Sequence, residues 1–179
     1  AACGGRNMTI LAAPGESGGL PLGDIQGNIL NGYGKQGFPK GRFLLINVDD
    51  QDAGRALIRW LYPDITTALR WPSSKLATSG PVRVERPLVA INIAFTFWGL
   101  YALDVPTRTL RGMPDEFIDG MAMRAPILGD DIAGNSQSGW DEVWQPQSPK
   151  PHVLVMLNAQ VDAAGKALPA LDALTTLVL

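Results

Sequence analysis

The apolar run Leu88–Phe95 constrains the fold of this chain more than any other stretch. Leu88, Val89, Ile91, Ile93 and Phe95 are apolar, and most are β-branched or aromatic. Such a run is typical of a strand that is buried on both faces, as in the centre of a sheet. The apolar stretch continues to Leu103 but is interrupted by polar residues and glycine, so it predicts a strand followed by a helix and not a membrane span.

Shorter patterns predict the other elements. Further strands are expected at Arg42–Val48, Ile65–Trp71 and Pro151–Ala159. Helices are expected at Ala53–Leu61, Thr96–Leu103, Thr107 onward, Pro114–Leu128 and Ala163–Leu179. Between them, Gly129–Lys150 reads as a long polar loop that contains Trp140 and Trp144.

The order of these elements predicts a fold class. It matches the βαββαβ pattern of a ferredoxin-like α+β sandwich, in which helices cover one face of an antiparallel sheet. The opposite sheet face must also be covered. In this architecture the cover is usually a second copy of the unit, from the same chain or from a partner.

Composition and charge narrow the possible functions. The chain has 179 residues with 46% hydrophobic and 18% charged residues, which fits one globular domain. A net charge of −2 without a basic run argues against nucleic acid as a partner. The single cysteine, Cys3, excludes an internal disulfide and a cysteine zinc cluster.

The N-terminal region predicts a boundary. Residues 1–23 have no hydrophobic periodicity and are interpreted as a flexible leader, in which Met8 would make a reasonable initiator. The domain is expected to cover residues 24–179. No complete signal peptide and no membrane segment is recognisable, so a cytoplasmic location is the default expectation.

The polar turn Asp24–Leu30 precedes the first predicted strand and is followed by a glycine-rich path through Gly41. Glycine-rich loops cradle phosphate when they open a helix. This one leads into a strand, so nucleotide binding is not expected.

Several segments, in this order, resemble the N-terminal part of dye-decolourising (DyP-type) peroxidases, the bacterial and fungal haem peroxidase family. The similarity spans about Asp24 to Leu157. The matching pieces are Asp24–Leu30, Gly32–Gly34, Arg42–Leu45, Leu88–Thr96, Gly99–Leu103, Pro114–Phe117, Gly120–Ala125, Leu128–Asp130, Trp140 and His152–Val155.

The resemblance implies a fold and an activity. Members are built from two ferredoxin-like halves in a dimeric α+β barrel-like arrangement, and haem b is held largely by the C-terminal half. Their catalytic set is an aspartate in a Gly-x-x-Asp-Gly loop, a distal arginine and a histidine that ligates the iron. No segment of this chain matches these parts, so no catalytic or metal-binding residue is carried over and the cofactor-binding residues are unknown.

Several residues still invite a functional interpretation. His152, the only histidine, could ligate haem, and so could Met121 or Met123, but structural roles are favoured for all three. Arg124 and Asp130 resemble a distal pair, yet an ion pair, cap or loop contact is the better prediction. Asp49, Asp50 and Asp52 lack the spacing of a calcium loop and are interpreted as capping acids. Trp140, Trp144 or Tyr33 could carry oxidising equivalents in a complete enzyme, but packing roles are expected.

Three functions remain open. The chain could be the N-terminal portion of a peroxidase that oxidises dyes or phenolic compounds with hydrogen peroxide, in which case it is expected to bind no haem alone. It could instead be a haem-free ferredoxin-like module that dimerises or pairs with a separate C-terminal half. The third alternative is a small-molecule enzyme of the dimeric α+β barrel type, with arginine, tyrosine and aspartate in its pocket.

Overall fold

A computed structural model describes residues 20–71, 86–130, 140–145 and 148–179. Three strands and six α-helices are formed in these ranges. The strands are β1 (Lys40–Ile46), β2 (Val89–Phe95) and β3 (Val153–Ala159). The helices are α1 (Gly27–Leu30), α2 (Gln51–Leu61), α3 (Phe97–Ala102), α4 (Thr107–Leu110), α5 (Asp115–Leu128) and α6 (Ala170–Val178).

The three strands form one antiparallel sheet in the order β1-β3-β2. Its register pairs Leu44 of β1 with Val155 of β3, and Val155 in turn with Ile93 of β2. Because side chains alternate along each strand, these three residues share one face of the sheet. The α+β fold class expected from the sequence, with an antiparallel sheet and helices, is confirmed.

The main hydrophobic core lies on this face. Leu61 of α2 and Leu171 and Val178 of α6 are buried there against all three strands. Arg42 of β1 holds α6 in place: its guanidinium donates to the Thr175 hydroxyl at 2.7 Å and forms an ion pair with Asp172 at 3.0 Å.

Helix ends follow the capping residues in the sequence. The Asp50 side chain accepts a hydrogen bond from Ala53 N–H at 2.7 Å, and the Thr96 hydroxyl accepts one from Gly99 N–H at 3.0 Å. These bonds satisfy backbone donors that have no partner inside the helix. The predicted capping role of Asp50 is therefore confirmed, and Thr96 caps α3 in the same way.

Two helix predictions need correction. The last helix starts at Ala170 and not at Ala163, because Pro169 lies at its N-terminal boundary, where a missing N–H costs nothing. Helix α5, expected over Pro114–Leu128, begins at Asp115 and is interrupted at Gly120. There the backbone has φ 69° and ψ 179°, a conformation essentially restricted to glycine.

The sheet also differs from the prediction. β2 was expected at its centre, yet it lies at one edge of the described sheet. Residues of the predicted strand Ile65–Trp71 form isolated bridges only: Ile65 pairs with Ile91, and Thr67 with Gln26. The residues that follow, 72–85, fall outside the described residues.

Candidate functional site

The second face of the sheet is partly open and largely apolar. Phe43 of β1 pairs with Met156 of β3, and Leu45 with Leu154, so these four side chains lie together on the face opposite the main core. Phe43 is 69% exposed and Leu45 is 38% exposed. We call these four residues the open face. An exposed apolar sheet surface of this kind is typical of an interaction site.

One end of this sheet face is covered by the chain's own N-terminal segment. Ala90 and Asn92 of β2 are fully buried on the same side as the open face. Tyr33, Phe38 and Trp71 pack together over this end, and Tyr33 and Phe38 form a hydrophobic cluster with Ala90. The aromatic cover thus lies over β2, while Phe43 and Leu45 on the opposite edge strand β1 stay exposed.

Gln26 fixes this N-terminal segment to β2. Its side-chain amide donates to the carbonyl oxygen of Ile93 and accepts from the N–H of Ile93, both at 2.8 Å. The next residue, Gly27, donates its N–H to the carbonyl oxygen of Thr66 at 2.9 Å. The turn Asp24–Leu30 is thus a structural clamp, and the segment binds its own sheet through the glutamine.

Gly27 is required by close packing. A Cβ atom at this position would overlap the Tyr33 hydroxyl and the Thr67 carbonyl oxygen. Only glycine leaves room for both, so the clamp and the aromatic cover depend on each other.

Buried polar atoms lie beneath this cover. The Tyr33 hydroxyl and the Oδ1 atoms of Asn28 and Asn92 form no hydrogen bond within the described residues. Burial raises the pKa of the Tyr33 hydroxyl. The neighbouring Asn92 side chain lowers it and offsets part of this effect, although the two groups do not reach hydrogen-bonding geometry. Tyr33 therefore stays neutral well beyond physiological pH.

His152 lies between the end of β1 and the start of β3. Its Nδ1 accepts a hydrogen bond from the backbone N–H of Val48 at 2.9 Å. An imidazole that accepts at Nδ1 and is neutral carries its proton on Nε2. This contact therefore favours the neutral tautomer whose Nε2 has no free lone pair.

Next to His152, a cleft of about 620 Å³ lies at the end of β1. It is lined by residues 45–47 at the end of β1, residues 141–143 and three residues of the segment 148–151. No histidine or cysteine is among the lining residues, and the described part of the chain contains no group of histidine, cysteine and acidic residues that could hold a metal ion.

Comparison with known proteins assigns the family. A family profile described as "DyP dimeric alpha+beta barrel domain" matches residues 24–170, most of the chain. This chain belongs to the DyP family. The boundary of the match at residue 24 coincides with the start of the Gln26 clamp segment.

One solved relative supports the fold. The crystal structure of a decolorizing peroxidase (DyP) from Auricularia auricula-judae superposes with a TM-score of 0.58 at 23% sequence identity. The match covers 89% of this chain but only 30% of the relative's chain. No curated protein matches this sequence. At this identity the likeness to the fungal DyP shows the fold alone.

DyP-type proteins are haem peroxidases, and His152 is not placed to ligate a haem iron. A haem-bound histidine offers its Nε2 lone pair while its Nδ1–H donates to a neighbour. In this chain the Val48 N–H points at Nδ1, so the opposite tautomer is stabilised. The structural role expected for His152 is consistent with this geometry.

Arg124 and Asp130 are not brought together as a distal pair of DyP type. The Arg124 guanidinium forms ion pairs with Glu116 at 3.6 Å and Asp119 at 3.8 Å, across the interruption at Gly120. The backbone N–H of Asp130 donates to Ala125 at the end of α5. The ion-pair and loop-contact roles expected from the sequence are what the structure shows.

The positions of the two methionines in α5 contradict a prediction from the sequence. Met121 and Met123 were expected to fill the core, but they are 64% and 75% exposed. Ile127 and Leu128 on the same helix are exposed as well, and within the half that follows Gly120 only Ala125 is buried.

The remaining candidates have structural or peripheral positions. Asp49 and Asp52 are exposed at the start of α2, beside the capping Asp50. Trp144 is 46% exposed, and the Trp140 carbonyl accepts a hydrogen bond from the Gln145 side chain. Cys3 and Met8 lie outside the described residues. Within the described residues, no helix has the length and apolar character needed to cross a lipid bilayer.

Sequence reasoning missed both the clamp and the open face as specific residue sets. Phe43 and Leu45 alternate with Leu44 and Ile46, so β1 is apolar on both sides, which was the available signal for a face that needs a cover. The two-point contact of Gln26 has no such signal, because its partner lies 67 positions away in sequence.

Proposed function

We propose that this chain is the N-terminal α+β half of a DyP-type haem peroxidase, whose open face packs against a complementary α+β half. The complete protein would oxidise dyes or phenolic compounds with hydrogen peroxide. The observation that carries the proposal is the family match over residues 24–170, and the open apolar face supports it. The chain spans 30% of the fungal relative's length, so that relative is long enough to contain a second half.

In this proposal, the chain contributes one side of the interface between the two halves. Burial of Phe43, Leu45, Leu154 and Met156 would remove apolar surface from water, at about 25 cal/mol per Å² buried. Among the described residues, the candidate polar groups do not prepare haem chemistry: the contact of His152 Nδ1 with the Val48 N–H favours the tautomer unsuited to iron, and Arg124 is engaged with two carboxylates. Haem b would supply the peroxide chemistry, and its iron ligand and the catalytic aspartate would come from the complementary half.

The same open face favours one alternative. A second copy of this chain could cover it, which would make the protein a haem-free dimeric module. The family profile names a dimeric barrel, and the exposure of Phe43 is compatible with either partner. The two functions differ in whether haem and peroxide have any part in them.

Two measurements test the proposal. The coding sequence that follows Leu179, or a neighbouring gene, is expected to encode a Gly-x-x-Asp-Gly loop and an iron-ligating histidine. Co-expression of that half with this chain should give a complex with a Soret band and peroxide-dependent dye oxidation, while this chain with added haem should give neither. A stoichiometric Soret band in this chain alone, lost in His152→Ala, would contradict the proposed division of roles. A stable dimer without any such encoded half would favour the alternative.

A further inference from the structure

The middle of the outer edge of β2, at Ile91 and Ile93, is closed by hydrogen bonds, and side chains make most of them. An edge strand presents unpaired backbone N–H and C=O groups, which are a template for pairing with another chain. In β2, Ile91 directs these groups away from β3 toward Thr66, and Ile93 directs them toward Gln26 of the N-terminal segment. How these four groups are satisfied decides whether the edge is available.

Thr66 satisfies the two groups of Ile91. Its backbone N–H donates to the Ile91 carbonyl oxygen at 2.8 Å, and its hydroxyl accepts from the Ile91 N–H at 3.0 Å. Thr66 also accepts, at its carbonyl oxygen, a hydrogen bond from the buried Asn92 side chain at 3.0 Å. This contact fixes Thr66 against the strand.

Gln26 satisfies the two groups of Ile93 with one side chain. A primary amide has a donor and an acceptor side by side, and here each is 2.8 Å from its backbone partner. A residue of a neighbouring strand would use its own N–H and C=O in the same way. The Gln26 amide thus takes the place of an adjoining strand at this position.

The sequence of β2 would promote self-association if its outer edge were open. Val89–Phe95 has seven residues that are mostly β-branched, aromatic or small, without charge, proline or glycine. Segments of this composition pair readily with copies of themselves when an edge is exposed. Antiparallel pairing of two β2 edges would bring identical apolar strands together across a twofold axis.

We propose that Gln26 is an edge guard, which prevents a second copy of this chain from adding to the sheet through the outer edge of β2. The guard is independent of the partner that covers the open face. The chain can still associate through the open face, while association through the β2 edge is blocked. The glutamine of the Asp24–Leu30 turn thereby gains a role that is separate from packing.

The first test measures amide hydrogen exchange. In the wild-type chain the Ile93 N–H should be protected, although its acceptor is a side chain. Gln26→Ala should make its exchange about tenfold faster or more, the effect of losing one hydrogen bond, while the amides of β3 stay protected. Gln36→Ala is the matched control, because the Gln36 amide bonds Asn31 in the same segment and does not reach β2. Unprotected Ile93 in the wild type would overturn the proposal even if Gln26→Ala fails to fold.

The second test measures association by light scattering across a concentration series. Gln26→Ala should associate more strongly than the wild type and Gln36→Ala. Gln26→Lys should lose the Ile93 protection but not gain the association, because a lysine on an edge repels an incoming copy. Equal association in Gln26→Ala and Gln36→Ala, or association in Gln26→Lys as strong as in Gln26→Ala, would overturn the proposal.

Discussion

The Nδ1 atom of His152 accepts a hydrogen bond from the backbone N–H of Val48 at 2.9 Å. This contact joins the chain just after β1 to the residue just before β3. It gives the only histidine of the sequence a structural task. The same contact explains why a residue that invites interpretation as a haem ligand is unsuited to that role.

Replacement of His152 should reveal this role. His152→Ala leaves the Val48 N–H without its acceptor and should lower the free energy of unfolding by about 1 kcal/mol. His152→Asn places Oδ1 near the former Nδ1 position and should recover most of the loss. Urea denaturation of the two variants distinguishes them. Equal stability of both variants would show that the hydrogen bond is not what His152 contributes.

Gly27→Ala should be strongly destabilising. The new methyl group would overlap the Tyr33 hydroxyl and the Thr67 carbonyl oxygen, and overpacking of this kind costs about 1–3 kcal/mol. Gly32→Ala is the matched control, because a Cβ there meets no atom within 4 Å. Thermal unfolding should show a clear loss for residue 27 and little change for residue 32. A loss of the same size at both positions would argue for a general effect of glycine in this segment.

The buried Tyr33 hydroxyl predicts a loss of stability at alkaline pH. Its pKa is raised above the ordinary value of 10.0 in the folded chain. Below about pH 10 both states keep the proton, so its contribution to stability is fully present. Above that pH the unfolded chain loses the proton first and binds fewer protons than the folded chain, so stability falls as the pH rises through the folded pKa.

Tyr33→Phe isolates this contribution. The variant lacks the ionising group, and it also removes a buried hydroxyl that has no hydrogen-bond partner within the described residues. It should therefore unfold at a similar free energy near neutral pH and lose less stability above about pH 10 than the wild type. Parallel pH profiles of the two proteins, from urea titrations, would contradict the assigned burial of the hydroxyl.

The open face should bind a hydrophobic dye in the isolated chain. Phe43→Ser should reduce the fluorescence of bound anilinonaphthalene sulfonate, and it should change stability by less than about 0.5 kcal/mol because Phe43 is 69% exposed. Leu177→Ser on α6 serves as the control, since Leu177 is also largely exposed but lies on the other side of the sheet. Dye binding that falls equally in both variants would indicate general exposure and not a defined face.

Local signals were sufficient for most of the fold. β1, β2, β3 and α2 follow from apolar runs and capping residues within each segment, so their existence and approximate bounds could be predicted. The position of β2 in the sheet could not. Burial on both faces is the same for a central strand and for an edge strand whose second face is covered by its own chain, and here Tyr33 and Phe38 cover that face.

The candidate site was predictable only in outline. The need for a cover on the second sheet face follows from the apolar alternation of β1. Which end is already covered depends on Tyr33, Phe38 and Trp71, which meet through long-range contacts. The exposure of Met121 and Met123 was missed for a related reason, since the break at Gly120 turns a regular pattern into two short helical segments.

The reactivity of a cysteine at residue 43 tests most directly whether the open face is a docking surface. In a Cys3→Ser background, Phe43→Cys should react with a thiol reagent rapidly in the dilute isolated chain. In the complex with the complementary half it should react about 100-fold more slowly, because burial excludes the reagent. Ala56→Cys, on the exposed side of α2, should react equally fast in both. Undiminished reactivity of Cys at position 43 in that complex would contradict the account.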